Sequence, residues 1–123
     1  MKERDNYIFD FEKLEVYKIG LEFVSKVFKI YQRLPKSFQF TIGEQFIRAV
    51  VSITNNIAEG SGKRSKYSKR QFYEYSLNSA RECIPMLTIL LNEKQILFEE
   101  YKSLRSDCIM ICKMLGKLIG KIK

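Results

Sequence analysis

From residue 12 to residue 122 the apolar positions recur at steps of three and four, the period of a helix buried along one side. No stretch of comparable length alternates as a half-buried strand would. The pattern predicts helices over residues 12–33, 42–59, 68–92 and 99–122. In the first, Leu14, Tyr17, Leu21, Val24, Phe28 and Tyr31 form one stripe and Val16, Phe23, Val27, Ile30 and Leu34 a second beside it. The segment stops before Pro35, because proline disfavours helix in the residue preceding it. So wide an apolar face implies deep burial or contact with another subunit.

In the second segment Ile42, Phe46, Ala49 and Ile53 share a stripe on which Asn56 takes the next place. A buried amide costs a few kcal/mol unless it is hydrogen-bonded, so Asn56 either fixes the packing or belongs to a site. Thr41 is placed to cap this helix with Glu44 reaching back. Gly60 is expected to end it in the left-handed conformation, with Gly62 loosening the turn that follows. The third segment carries Tyr73, Leu77, Ala80, Ile84, Leu87 and Leu91 inward. Pro85 should kink it, since proline lacks the amide donor and crowds the carbonyl of Arg81. The fourth repeats Tyr101, Leu104, Cys108, Ile111, Leu115, Leu118 and Ile122 without a break. Short connections force consecutive helices to run antiparallel, so the expected fold is all-α, an up-down-up-down four-helix bundle formed as a single domain over residues 1–123.

Composition narrows the chemistry. With no histidine among 123 residues, the commonest general base and metal ligand is missing, and ordinary hydrolytic catalysis is not expected. Gly60-Ser61-Gly62-Lys63 is too short for a phosphate-cradling loop and follows a helix, so it reads as a turn. Cys83, Cys108 and Cys112 lack the spacing of a zinc ribbon or a disulfide framework and read as reduced thiols filling the core. Glu99 and Glu100 suit the positive end of the fourth helix. No cofactor or metal is expected. The charged start and the lack of a long apolar run predict a cytoplasmic protein with no membrane association.

Charge changes the picture more. The formal net charge is +8, and nine of the 22 basic residues fall in residues 61–70 and 113–123, which contain no acid. A basic excess gathered in this way is a candidate phosphate-binding surface, although a charge run can equally be a solvated face. Lys63, Arg64, Lys66, Lys69 and Arg70 interleave with Tyr67, Phe72 and Tyr73, pairing phosphate partners with stacking rings. Phe72 and Tyr73 also fit helical stripes facing the core, whereas Tyr67 is expected to be exposed. Lys113, Lys117 and Lys121 recur every four residues on one helix face and could extend the basic surface. Arg48, Asn55, Asn56, Glu59, Gly60, Gly62 and Arg81 form a second candidate set around the end of the second helix. Its structural reading has Asn56 satisfying backbone groups, Asn55 at the surface and Glu59 paired with Lys63 or Arg81.

The run Arg48-Ala49, Ser52-Ile53, Asn56-Ile57-Ala58-Glu59-Gly60 and Gly62-Lys63, with Phe11-Glu12-Lys13-Leu14 before it and Ala80-Arg81 after it, resembles the 23S rRNA intervening-sequence proteins. The likeness extends from about Phe11 to Ile122. Thr54 stands where that family usually has proline, Lys63 where it has arginine, and Glu82-Cys83 where it has Gly-Ser. The resemblance implies a homopentamer of up-down bundles. It also implies kinship with accessory proteins of diversity-generating retroelements, which join nucleic acid to a reverse transcriptase. The expected function is therefore non-enzymatic: RNA or DNA binding through the two basic segments, or a protein adaptor whose basic surface docks an acidic partner.

Overall fold

The computed structural model describes residues 6–123; the first five residues of the expected domain lie outside the described residues. Four long helices make up the chain: α1 (Glu15–Arg33), α2 (Glu44–Gly62), α3 (Lys66–Asn92) and α4 (Phe98–Gly120). Among the described residues there is no strand. Each helix packs on two neighbours, α1 on α2 and α4, and α3 on α2 and α4. Cross-helix pairs fix the directions. Ser52 meets Ser79 while Ser61 meets Tyr73, so α2 and α3 are antiparallel. Lys26 meets Asp107 while Arg33 meets Glu100, so α1 and α4 are too. The fold is the expected four-helix bundle.

Its core takes Val16, Phe23, Val27 and Ile30 from α1, Phe46, Val50, Ile53 and Ile57 from α2, Ala80, Cys83, Leu87 and Leu90 from α3, and Leu104, Cys108, Ile111 and Leu115 from α4. Burying a large aliphatic side chain contributes about 1.5–3 kcal/mol, so this interior dominates stability. In α1 the stripe through Val16 is the inner one, whereas Leu21 and Phe28 of the other remain 45% and 40% exposed. Gly20 lies on the inner stripe, where a Cβ would lie 3.0 Å from Thr54 Cγ2. A glycine carries no apolar signal, yet here it brings α1 onto α2. In α3 the inner row is Tyr73, Ser76, Ala80, Cys83, Leu87 and Leu90, which leaves Leu77, Ile84 and Leu91 half-buried on the flank. Ser76 is buried because its hydroxyl donates to the carbonyl of Ile53 at 2.7 Å. The helix continues through Pro85, which sits on the exposed side of α3.

The helix ends differ from expectation. Thr41 is not a cap: a helical turn at Lys36–Phe38 and a π-turn at Gln39–Gly43 run directly into α2, and the Thr41 hydroxyl donates to Ser37 O at 2.8 Å. Proline is well tolerated in a first helical turn, so Pro35 starts this stretch early. At the other end α2 continues past Gly60 to Gly62, and Lys63 is extended. No described glycine has positive φ. The left-handed residue is instead Lys94, φ 60°, after α3; there Gln95 N–H donates to Leu90 O and Lys94 N–H to Leu91 O, a Schellman closure. The third helix begins before Ser68, because Ser65 caps it by accepting from Ser68 N–H at 3.0 Å.

Candidate nucleic-acid interface

Antiparallel packing brings the end of α2, the start of α3 and the end of α4 to one end of the bundle. Arg70 donates to Ile122 O at 2.7 Å, so the two acid-free basic segments touch. The expected basic loop is short, since α3 starts at Lys66 and carries Lys66, Tyr67, Lys69 and Arg70 on its first turns. These cations divide into two kinds. Lys69 Nζ donates to the carbonyls of Gly60 and Ser61 at 3.0 Å each, adding a charged donor at the negative end of α2. Lys63 pairs with Glu59 at 3.3 Å and lies 4.9 Å from the centre of the Phe72 ring. Lys63, Lys69 and Arg70 thus have partners within the fold. Arg64 and Lys66 project into solvent beside Tyr67, which is 71% exposed. Lys113, Lys117 and Lys121 are exposed on α4, the first two lining a shallow cleft with Ile109, Met110 and Met114. Tyr73 is buried and Phe72 half-buried, as their helical stripes predict.

A stability measurement separates the two kinds. Lys69→Ala is expected to cost about 1–2 kcal/mol, because two helix-end carbonyls lose a charged donor. Arg64→Ala should stay within about 0.5 kcal/mol. Urea unfolding checks this, and equal midpoints for the two variants would refute the division.

The second candidate set does not converge. Asn56 is half-buried, and its amide donates to Ser52 O and Ser52 Oγ at 2.9 Å each; Ser52 Oγ in turn meets Ser79 Oγ at 2.8 Å. The chain of contacts stitches α2 to α3. Asn55 is exposed, and Glu59 pairs with Lys63, not Arg81. Arg48 borders a groove of about 600 Å³ between α2 and α3, floored by Ile42, Ala49, Met86 and Ile89. Arg81 is exposed near the Cys112 thiol on the side facing α4. At Gly60 a Cβ would fall 2.7 Å from the Tyr73 ring, whereas at Gly62 it would meet nothing within 4 Å. No buried side-chain polar atom among the described residues lacks a partner. Asn56 and Gly60 therefore act in packing.

The cysteines lie in the α3–α4 seam, where Cys108 donates to Ala80 O at 2.9 Å and Cys83 to Ser79 O at 3.4 Å. Hydrogen bonding with Cys112 pulls Cys108 down, but bonding with Cys83 together with burial outweighs it and pushes Cys108 up to about 12. Cys112 is also raised, chiefly by its bond to Cys108 and by burial. Both stay thiols at neutral pH, unlike the thiolates that react or bind metal. Among the described residues no three ligating side chains come together as a metal site. Glu100 accepts from Leu97 N–H and from Arg33; the Arg33 guanidinium holds its carboxyl below the usual range while Arg33 itself is raised.

Sequence reading missed a cleft of about 290 Å³ on the outside of α3, lined by Tyr67, Arg70, Gln71, Glu74, Tyr75 and Asn78. Its signal is the polar row Tyr67, Gln71, Glu74 and Asn78 at steps of four, three and four residues.

No described helix is long and apolar enough to cross a membrane. No curated protein matches the chain. A crystal structure at 1.70 Å of a protein of unknown function from the S23 ribosomal protein family of Bacteroides thetaiotaomicron VPI-5482 superposes with a TM-score of 0.81 at 27% identity, covering 86% of this chain and 96% of that one. The model of the 23S rRNA-intervening sequence protein family matches residues 12–117, which include the Asn56–Gly60 run, all of α3 and most of α4. The chain belongs to that family.

Proposed function

We propose that this bundle is a non-catalytic RNA-binding protein that grips phosphates with the end formed by the α2–α3 turn and the last turns of α4. The observation that carries the reading is the junction of the two acid-free segments at Arg70 and Ile122, which gathers Arg64, Lys66, Lys117 and Lys121 around one end. Phosphate contacts release counterions, so affinity for such a surface falls steeply with salt. The family name and that of the S23 ribosomal relative make RNA the first candidate. The test is fluorescence anisotropy with a structured RNA and a DNA duplex over a salt series. The variant replaces Arg64, Lys66, Lys117 and Lys121 with alanine and leaves Lys69 and Arg70 to hold the helix ends. Wild type should bind, and the variant should lose about tenfold or more at low salt with a shallower salt slope. No binding by wild type at low salt would sink the reading.

A second reading rests on α1, where Leu21 and Phe28 stay exposed and Phe28 lies beside Tyr31 and Ile47. A strip of this kind suits a subunit contact, consistent with the expected homopentamer and with an adaptor that docks an acidic protein such as a reverse transcriptase. Light scattering on Leu21→Glu and Phe28→Glu addresses it; a mass equal to one chain for wild type would remove it.

A further inference from the structure

On the outer face of α3 the row Tyr67, Gln71, Glu74 and Asn78 is joined by Arg70 and Tyr75 to form the cleft of about 290 Å³. That volume lies at the bottom of the range for small-molecule sites, the scale of a single flat ring system. Tyr67 and Tyr75 are 71% and 44% exposed, so neither ring is committed to the core. Tyr75 is nonetheless held: it packs edge-on against Phe72 with centroids 5.4 Å apart, and the Lys63 ammonium lies over Phe72. A ring fixed in this way stacks a planar partner with little loss of freedom.

The side chains between the rings select the partner. Lys66, next to Tyr67 in the chain, and Arg64 are both exposed and attract phosphate. Glu74, inside the cleft, repels phosphate but accepts hydrogen bonds, and the amides of Gln71 and Asn78 both donate and accept. With Arg70 already donating to Ile122 O, this inventory suits base edges more than a sugar-phosphate backbone. Eight residues along a helix separate the two tyrosines by about 12 Å, whereas stacked bases in one strand are about 3.4 Å apart. Only bases unstacked from one another can reach both rings.

We infer that this cleft holds unpaired nucleotides of a single RNA strand, stacking bases on Tyr67 and Tyr75 while Glu74 accepts from a base amino group. The inference rests on phosphate binding by the neighbouring cations, as proposed above. Cytosine offers such an amino donor where uracil has a carbonyl acceptor, so a C-rich strand should be preferred to a U-rich one.

The experiment is anisotropy with fluorescein-labelled oligo-C and oligo-U RNAs of about 15 nucleotides and an RNA duplex of the same length. The proteins are wild type, Tyr67→Ala, Tyr67→Phe, Glu74→Gln and the double variant Arg64→Ala/Lys66→Ala. Circular dichroism confirms that each is folded. Oligo-C should bind about tenfold more tightly than duplex. Tyr67→Ala should weaken it about fivefold to a hundredfold while leaving duplex binding unchanged, and Tyr67→Phe should keep most of the affinity. Glu74→Gln should narrow the preference for C over U. Because the chain has seven tyrosines and no tryptophan, stacking should also quench its intrinsic fluorescence. If the double variant loses binding but Tyr67→Ala does not, the inference fails and the phosphate reading stands. If wild type binds none of the three RNAs, both fail.

Discussion

Ile57→Ala is expected to cost about 2–5 kcal/mol, whereas Asn55→Ala, two positions earlier in the same helix, should remain within about 0.5 kcal/mol. Ile57 has no solvent exposure and lies in the core shared by all four helices, so truncation leaves a cavity in that core as well as removing transfer free energy. Asn55 projects into solvent from the opposite side of α2. Urea denaturation of the two variants measures the contrast. For Ile57→Ala the midpoint should fall with the slope unchanged, since the surface exposed on unfolding is nearly the same. Equal losses at both positions would mean that the asparagine carries a structural role invisible in its exposure.

Gly60→Ala should destabilise by about 1–3 kcal/mol even though alanine is the better helix former. The added Cβ would stand 2.7 Å from Tyr73 Cε1 and 2.8 Å from Cδ1, and Tyr73 is only 4% exposed, so the ring cannot swing out of the way. Relief would require α2 and α3 to separate, straining the Ser61–Tyr73 and Ser76–Ile53 hydrogen bonds. Gly62→Ala makes the control. It meets nothing within 4 Å and should be neutral or gain up to about 1 kcal/mol by restricting the unfolded chain. Thermal melts should therefore fall for Gly60→Ala and hold or rise for Gly62→Ala, and a Gly60→Ala protein as stable as the parent would show that the helices can part at little cost.

The glycines also show how far the sequence could be read. Apolar spacing was enough for four helices and their antiparallel order, because amphipathic periodicity records which side of a helix is covered. It left open which of the two stripes of α1 faces inward, since Gly20 has no side chain to mark the close approach to α2. Ser76 and Ser79 carry polar signals but sit in the α2–α3 seam, where Ile53 O and Ser52 Oγ answer their hydroxyls. The left-handed turn was assigned to Gly60 on residue preference, yet it formed at Lys94, because packing against Tyr73 required the glycine for a different reason. In the basic segments the sequence located the charge and predicted the exposure of Tyr67. Which cations were already occupied by carbonyls, and which polar row of α3 faced outward beside Tyr67, depended on contacts between residues far apart in the chain.

The use of Lys69 and Arg70 as helix-end donors changes what the formal charge of +8 means for an approaching polyanion. A cation already bonded to main-chain carbonyls is poorly placed to displace the ions condensed on a nucleic acid. Each phosphate neutralised on a single strand contributes a logarithmic salt slope of about −0.7. The slope thus counts free cations, and for this bundle the count should follow Arg64, Lys66 and the α4 lysines instead of all nine basic residues in the two segments.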